Sequence, residues 1–82
     1  MKNRVDSYLL EVDRLASDTQ RLNLTGVIER RDAMLELRRT AFADLIEERL
    51  SADDTFVILQ NQLRDELAAL EVRIADLDRA NT

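Results

Sequence analysis

Apolar residues in the N-terminal quarter of the chain recur at intervals of three and four, the spacing of one face of an α-helix. This spacing predicts a first helix over about 4–22. The next four residues, Asn-Leu-Thr-Gly at 23–26, contain the only glycine of the chain. We expect them to form a loop in which Thr25 is the N-cap of the following helix. The apolar positions of the first helix are Val5, Tyr8, Leu9, Val12, Leu15 and Leu22.

Two further amphipathic segments follow, over about 27–50 and about 53–79. Between them, Ser51 is followed three residues later by Asp54, a spacing typical of a capping box, which favours a sharp corner at about 51–53. The second segment is predicted to bury Ile28, Leu35, Phe42 and Leu45, flanked by Val27, Met34, Ala41 and Ile46. The third is predicted to bury Phe56, Leu59, Leu63, Leu67, Leu70, Ile74 and Leu77.

The phase of this pattern leaves a second architecture open. Positions seven residues apart, from Ile28 to Leu77, continue through the corner without a change of helical phase. One continuous coiled-coil helix over 27–79 would show the same pattern. Such a helix of about fifty residues would be about 75 Å long. The sequence therefore predicts an all-α domain over 1–82, a small three-segment antiparallel helical bundle or coiled-coil hairpin. A short helix followed by one long helix is the alternative.

Charged residues within the predicted apolar faces allow a more specific prediction. In a hairpin that turns near residue 52, Leu35 faces Leu70, and the same register brings Arg38 to Glu66. We expect a partly buried Arg38–Glu66 ion pair that determines the register of the hairpin more than it adds stability. Alternatively, the arginines lay their methylene stems on the core and keep their guanidinium groups in water.

Apolar residues outside these faces indicate a second contact surface. Phe56 to Leu59 are four consecutive apolar residues, which on a helix point in directions about 100° apart. Small residues further along the third helix would permit close approach of another helix. We expect this surface to be covered by the first helix, by a second copy of the chain or by a partner protein. The predicted interface comprises Val57, Ile58, Ala68, Val72, Ala75, Leu10 and Leu37.

Part of the pattern resembles a known hairpin. An acidic corner is followed by an aromatic residue three or four positions later, and then by the stretches LQNQL (59–63) and LAALEVRIADL (67–77). Over roughly residues 35–77, this arrangement is similar to the hairpin of small type III secretion chaperones. Those proteins usually carry Pro in the corner and Tyr at the aromatic position, where this chain has Asp-Asp and Phe56. The resemblance implies a chaperone or adaptor role.

Composition narrows the chemistry available to the chain. Its 82 residues include no His and no Cys. The usual general bases and thiolate nucleophiles are therefore missing, and we expect no enzymatic activity, cofactor, metal or small-molecule substrate. The absence of Cys fits a reducing compartment. Because no stretch is apolar enough for a signal peptide or a membrane span, we expect a cytoplasmic protein without membrane contact.

Charge separates the remaining functional alternatives. The net charge of −5 argues against direct binding to nucleic acid or anionic membranes. Acidic residues are concentrated in the C-terminal third, at 51–82, which suggests an inhibitor that mimics nucleic acid as one alternative. A structural subunit of a larger assembly, such as a phage or secretion machine, is another. We favour an adaptor or chaperone-like module that binds a partner helix and self-associates into a homo-oligomer when alone.

Overall fold

The computed structural model describes residues 4–48 and 54–80. Across these two ranges the chain forms three α-helices and one short 3-10 turn, without a strand. The predicted all-α class is confirmed. The elements are α1 (Arg4–Ala16), the 3-10 turn (Thr19–Arg21), α2 (Leu24–Glu47) and α3 (Asp54–Ala80).

Helices α2 and α3 form an antiparallel hairpin. Arg31 in the first half of α2 lies 3.4 Å from Glu71 in the second half of α3. At the other end, the rings of Phe42 and Phe56 have centroids 5.3 Å apart. The longest dimension is 46 Å, far less than the roughly 75 Å of a continuous helix. The hairpin prediction is confirmed and the continuous helix is wrong, whereas the predicted corner at 51–53 lies outside the described residues.

Helix α1 completes a three-helix bundle by packing on both arms of the hairpin. It runs antiparallel to α2, since Tyr8 bonds to Asp44 near the end of that helix while Arg30 near its start bonds to the carbonyl of Leu15. With 13 residues against 24 and 27 for the other two helices, α1 is long enough to cover only part of the hairpin.

The first helix ends earlier than the apolar spacing predicts, at Ala16 rather than near 22. Asp18 adopts the left-handed conformation with φ 60°, which an α-helix does not accommodate. The guanidinium of Arg30 stabilises this end, because its Nη1 donates to three carbonyls in and just beyond the last turn of the helix, where backbone acceptors lack the usual intrahelical donors. The acceptors are the carbonyl oxygens of Arg14 (3.1 Å), Leu15 (2.8 Å) and Ser17 (3.1 Å).

The second helix also begins earlier than predicted. Asn23, not Thr25, is the N-cap, and its Oδ1 accepts a 2.8 Å hydrogen bond from the backbone N–H of Gly26. Gly26 therefore lies in the first turn of α2 rather than in a loop. A Cβ on Gly26 would be only 3.1 Å from the Cβ of Leu22. The glycine is explained by this close approach of the incoming chain, not by a turn conformation.

Packing of the core agrees with the sequence prediction for α3 but only in part for α2, where Leu45 is buried as predicted. In α3, five of the predicted core residues are buried, and Ile74 and Leu77 pack partly against them. In α2, the buried face is turned by about one residue, so that Val27, Met34 and Ala41 are fully buried. The described core consists of Val5, Val12, Leu15, Val27, Met34, Ala41, Leu45, Phe56, Leu59, Leu63, Leu67 and Leu70.

The rotation of α2 follows from its two neighbours. Arg30 and Asp44 contact α1, and Arg31 and Phe42 contact α3. The face between these two sets of contacts is the one that both neighbours cover. Leu35, predicted to be central in the core, is consequently 37% exposed.

Candidate interaction surface

One side of α3 carries apolar residues that no described helix covers. Three of its side chains are at least half exposed: Val57 (50%), Ile58 (53%) and Val72 (62%). Ala68 and Ala75 are exposed on the same side of the helix. These five residues, here called the outer face of α3, lie roughly opposite the buried Leu63 and Leu70, given a rotation of about 100° per residue.

Helix α1 packs against a different flank of α3. Asp13 accepts a 3.4 Å hydrogen bond from Gln62, and Arg73 donates to the carbonyl of Gln20 at 3.3 Å. Gln62 lies about 120° around the helix from Ala68. Of the three covers predicted for the outer face, the first helix is therefore excluded; a second copy and a partner protein stay predictions.

Two residues of the predicted interface do not belong to this surface. Leu10 is 54% exposed, but it lies on α1, which occupies the opposite flank of α3. Leu37 is partly buried and packs against the core. Both were predicted because they lie outside the apolar faces that one hairpin covers. Helix α1 covers the flank of α2 that carries Leu37, which is the side of Asp44 and Arg30.

Helix α2 also carries two exposed apolar residues: Leu35, which the sequence analysis assigned to the core, and Ile46, which it assigned to the flank of the core. Ile46 is 59% exposed, and Leu35 and Phe42 lie within about 40° of it around the helix. These residues border the line of contact with α3, because Phe42 touches Phe56. Leu35 and Ile46 lie on the opposite side of α2 from Asp44, which contacts α1. The sequence analysis predicted burial of Leu35 because it placed the apolar face of α2 through Ile28, Leu35 and Phe42 against α3.

The predicted Arg38–Glu66 ion pair is wrong. Arg38 is exposed, and the two side chains form no ion pair in the described part of the hairpin. The cross-hairpin pair is instead Arg31–Glu71, whose side chains are 28% and 57% exposed. The rotation of α2 produces this exchange. Exposure of Arg38 agrees with the alternative in which the guanidinium group remains in water.

Ion pairs within α3 offset part of its negative charge. Arg64 lies 3.2 Å from the adjacent Asp65, and Arg79 pairs with Asp76 one turn earlier. The Arg31–Glu71 contact adds a pair across the hairpin. The pKa of Arg31 is raised, chiefly by its hydrogen bond to Asp32, with the charge of Glu71 acting in the same direction. These pairs break up the acidic surface that a mimic of nucleic acid would need.

The described residues offer a surface rather than an enclosed site. They enclose no pocket, and no three of their acidic side chains come together as ligands for a metal ion. None of the helices in residues 4–48 and 54–80 combines the length and apolarity needed to cross a bilayer.

Comparison with protein-family models, curated proteins and solved structures finds no match to this chain. A functional proposal therefore rests on the geometry and chemistry of the exposed surface.

Proposed function

We propose that the protein is a non-enzymatic protein–protein interaction module, adaptor or chaperone-like, that binds a partner helix through the outer face of α3. The supporting observation is that two groups of exposed apolar residues, Val57 and Ile58 and then Ala68, Val72 and Ala75, lie on one side of one helix, with the polar residues Asn61, Arg64 and Asp65 between them. Isolated exposed apolar residues are ordinary, but an aligned series is typical of an interface. This series is about 27 Å long, which matches about five turns of a partner helix.

The opposite side of α3 supports the proposal by holding the surface rigid. Leu59, Leu63 and Leu70 are buried in the core. A helix anchored by these residues presents its outer face with little further loss of conformational entropy on binding. Ala68 and Ala75 would allow a partner helix to approach to the shorter end of the usual 8–10 Å range of interaxial distances.

The proposal extends to location and self-association. A sequence without cysteine is suited to a reducing compartment such as the cytoplasm. When no partner is bound, the outer face is free to pair with that of a second copy at high protein concentration. A protein of this kind would be isolated alone as a weak homo-oligomer.

Affinity purification of the tagged protein from its native cell, with nuclease treatment and mass spectrometry, tests the proposal. We expect one stoichiometric protein partner, lost in Val57→Asp and Val72→Asp while circular dichroism remains helical. Leu10→Asp is the matched control, because Leu10 is similarly exposed (54%) but lies on α1.

Three outcomes would contradict the proposal. Retention of the partner by both α3 variants would remove the outer face as the binding surface. Recovery of the protein alone as a defined oligomer would favour a structural subunit of a larger assembly. A DNA-binding partner that added DNA displaces, with binding sensitive to Asp76→Asn, would favour a mimic of nucleic acid.

A further inference from the structure

We infer that helix α1 exchanges between two copies of this chain. In the exchanged dimer, residues 17–23 become helical and join α1 and α2 into one helix over about 4–47, and the α1 of each copy packs on the hairpin of the other. This inference goes beyond the proposed function and does not rest on it, because the outer face of α3 takes no part in the exchange.

Asp18, in the connection between α1 and α2, holds backbone strain. Its φ of 60° and ψ of 21° place it in the left-handed region, and within residues 4–48 and 54–80 no other non-glycine residue has a positive φ. Asp tolerates this conformation better than most residues, but its Cβ still crowds the following carbonyl oxygen. Strained hinge segments favour domain exchange, because the open form relieves the strain and repeats the remaining contacts between copies.

The sequence of this connection permits a helix to continue through it. No glycine or proline lies between Ser17 and Thr25. The apolar spacing of α1 runs on through Thr19 and Leu22, which is why the sequence predicts a longer first helix. The closed fold interrupts a helical pattern that the open form would complete.

The buried faces of α1 and α2 would share one side of the joined helix. On a continuous helix the buried Val12 and Met34 are about six turns apart, so their side chains point in nearly the same direction. The joined helix would therefore carry one apolar stripe along its length, and each part of the stripe could pack as it does in the closed fold.

The direction of α1 suits a symmetric exchange. Because α1 runs antiparallel to α2 in the closed fold, two joined helices would run antiparallel about a two-fold axis, with each α1 along the other copy's α2. The register in which Arg4 reaches Asp44 and Arg30 reaches Ser17, continued through the connection, places Leu22 near Val27 of the second copy. Apolar residues would then meet close to the axis.

The contacts that attach α1 to the hairpin would be repeated between copies. The hydroxyl of Tyr8 would bond to Asp44 of the second copy, and Asp13 would accept from Gln62 of the second copy, as each does within the closed chain. Exchange therefore sacrifices none of the contacts that α1 makes through these residues.

The two forms differ in the connection itself. The closed form keeps the bonds of Arg30 to three carbonyls and the Asn23 cap. The open form instead gives residues 17–23 intrahelical hydrogen bonds and relieves the strain at Asp18. Because the open form is a dimer, its share rises with protein concentration.

Cross-linking between two variants of the full chain identifies the exchange, because Asp13 on α1 lies 3.4 Å from Gln62 on α3. Asp13→Cys and Gln62→Cys are unfolded together, refolded at high concentration and treated with a short bis-maleimide. The native chain has no cysteine, so only the introduced thiols react. In closed monomers the two thiols are on different molecules, whereas in an exchanged dimer of the two variants they are adjacent. We expect a covalent dimer from the mixture and none from either variant alone.

Two hinge variants shift the equilibrium in opposite directions. In Asp18→Ala the residue disfavours the left-handed conformation and favours a helix, and in Asp18→Gly the preferences are reversed. Size-exclusion chromatography with light scattering measures the dissociation constant of the dimer. Since each dimer contains two hinges, we expect this constant to be lower in Asp18→Ala than in Asp18→Gly by more than about tenfold. Circular dichroism verifies that both variants remain helical.

Val72→Asp is the control for association through another surface. Val72 is 62% exposed on the outer face of α3, which exchange leaves uncovered. The substitution should leave the dissociation constant of the exchanged dimer nearly unchanged, whereas it would dissociate a dimer formed through the outer face.

Three results would overturn the inference. The first is a chain that stays monomeric at high concentration even as Asp18→Ala. The second is a dimer that gives no cross-link between the Asp13→Cys and Gln62→Cys chains. The third is a dimer that Val72→Asp dissociates, which would mean that the outer face joins the copies. Failure of the exchange leaves the proposed function standing, since that is tested by loss of the cellular partner in Val57→Asp and Val72→Asp.

Discussion

The hydroxyl of Tyr8 donates a 2.7 Å hydrogen bond to one carboxylate oxygen of Asp44, and Arg4 donates to the other oxygen. Two residues one turn apart on α1 are thereby joined to a single side chain near the end of α2. Arg4 also reaches Glu48 at 3.5 Å. This cluster attaches the first turns of α1 to the hairpin.

Tyr8→Phe should lower the free energy of unfolding by about 0.5–1.5 kcal/mol, because it removes one partly buried hydrogen bond and leaves the ring in place. Urea denaturation followed by circular dichroism measures the change. Ser7→Ala, at an exposed neighbouring position of α1, is the control and should have little effect. Equal stability of Tyr8→Phe and wild type would show that water replaces the bond without cost.

The titration of Tyr8 gives an independent measurement of the same contact. Its hydrogen bond to Asp44 raises its pKa above the ordinary value of 10.0, and partial burial and the negative charge of Asp44 act in the same direction. The stabilising contribution is therefore fully present below the pKa of the unfolded chain. It is lost as the pH rises through the higher pKa of the folded protein.

Phenolate absorbance reports this titration directly, because Tyr8 is the only tyrosine and the chain has no tryptophan. We expect the midpoint in the folded protein to lie above that measured in denaturant. In Asp44→Ala, the midpoint should fall back toward the denatured value. An identical midpoint in folded and denatured protein would contradict the contact.

Arg30→Met should loosen the end of α1, because it removes the guanidinium that bonds to three backbone carbonyls while keeping an apolar stem of similar length. Hydrogen bonds to charged groups contribute roughly 1.5–3 kcal/mol in favourable cases. Since this site is partly exposed, we expect a loss near the lower end of that range. Hydrogen exchange should show faster exchange of the last-turn amides of α1.

Arg39→Met is the matched control for this change. Arg39 is exposed and its hydrogen bonds go to Glu36 on the same helix. Its replacement should leave exchange in α1 unaltered. Equal acceleration in both variants would mean that exchange follows global stability rather than the capping contact.

Asp18→Gly should raise the free energy of unfolding by roughly 0.5 kcal/mol. The residue has φ 60°, where glycine avoids the steric cost of a Cβ, although glycine also gives the unfolded chain more freedom. Thermal denaturation measures the shift. Thr40→Gly, at an exposed position inside α2, should have the opposite sign. Destabilisation by both changes would show that the backbone strain relieved at Asp18 is smaller than the conformational entropy that glycine adds to the unfolded chain.

Double-mutant cycles test the observed cross-hairpin ion pair, Arg31–Glu71, against the pair predicted from sequence, Arg38–Glu66. For Arg31→Met with Glu71→Gln, we expect a small, measurable stabilising coupling, as is typical of a solvent-accessible pair. For Arg38→Met with Glu66→Gln, we expect no measurable coupling. The pairs are compared at low and high salt, and only the first coupling should weaken as salt is added. A larger coupling for Arg38 and Glu66 would restore the register predicted from sequence.

The sequence by itself determined the fold class and the buried face of α3, whereas the hairpin was separated from one continuous helix only by the contacts between α2 and α3. Leucines at Leu59, Leu63, Leu67 and Leu70 form one unambiguous apolar series, so the period of the helix decides which side is buried. The candidate surface on α3 followed from the same period, because residues such as Val57 and Val72 are out of phase with the buried series.

Helix ends were predictable only in part. Helical periodicity continues past Ala16 through Thr19 and Leu22, and nothing local marks the stop. The end of α1 depends on a guanidinium 16 residues further along the chain, where Arg30 bonds to the carbonyl of Arg14. A contact of that kind exists only once α1 and α2 have packed together.

The rotation of α2 was decided by tertiary structure alone. Its sequence contains two adjacent apolar series of equal period, one through Val27 and Met34 and the other through Ile28 and Leu35. Either series can form a buried face, and periodicity does not distinguish them. The packing of α1 buries the first and leaves the second at the edge of the hairpin. The same rotation exposes Leu35 and replaces the predicted ion pair with Arg31–Glu71, because one helix with two neighbours buries the face that lies between them.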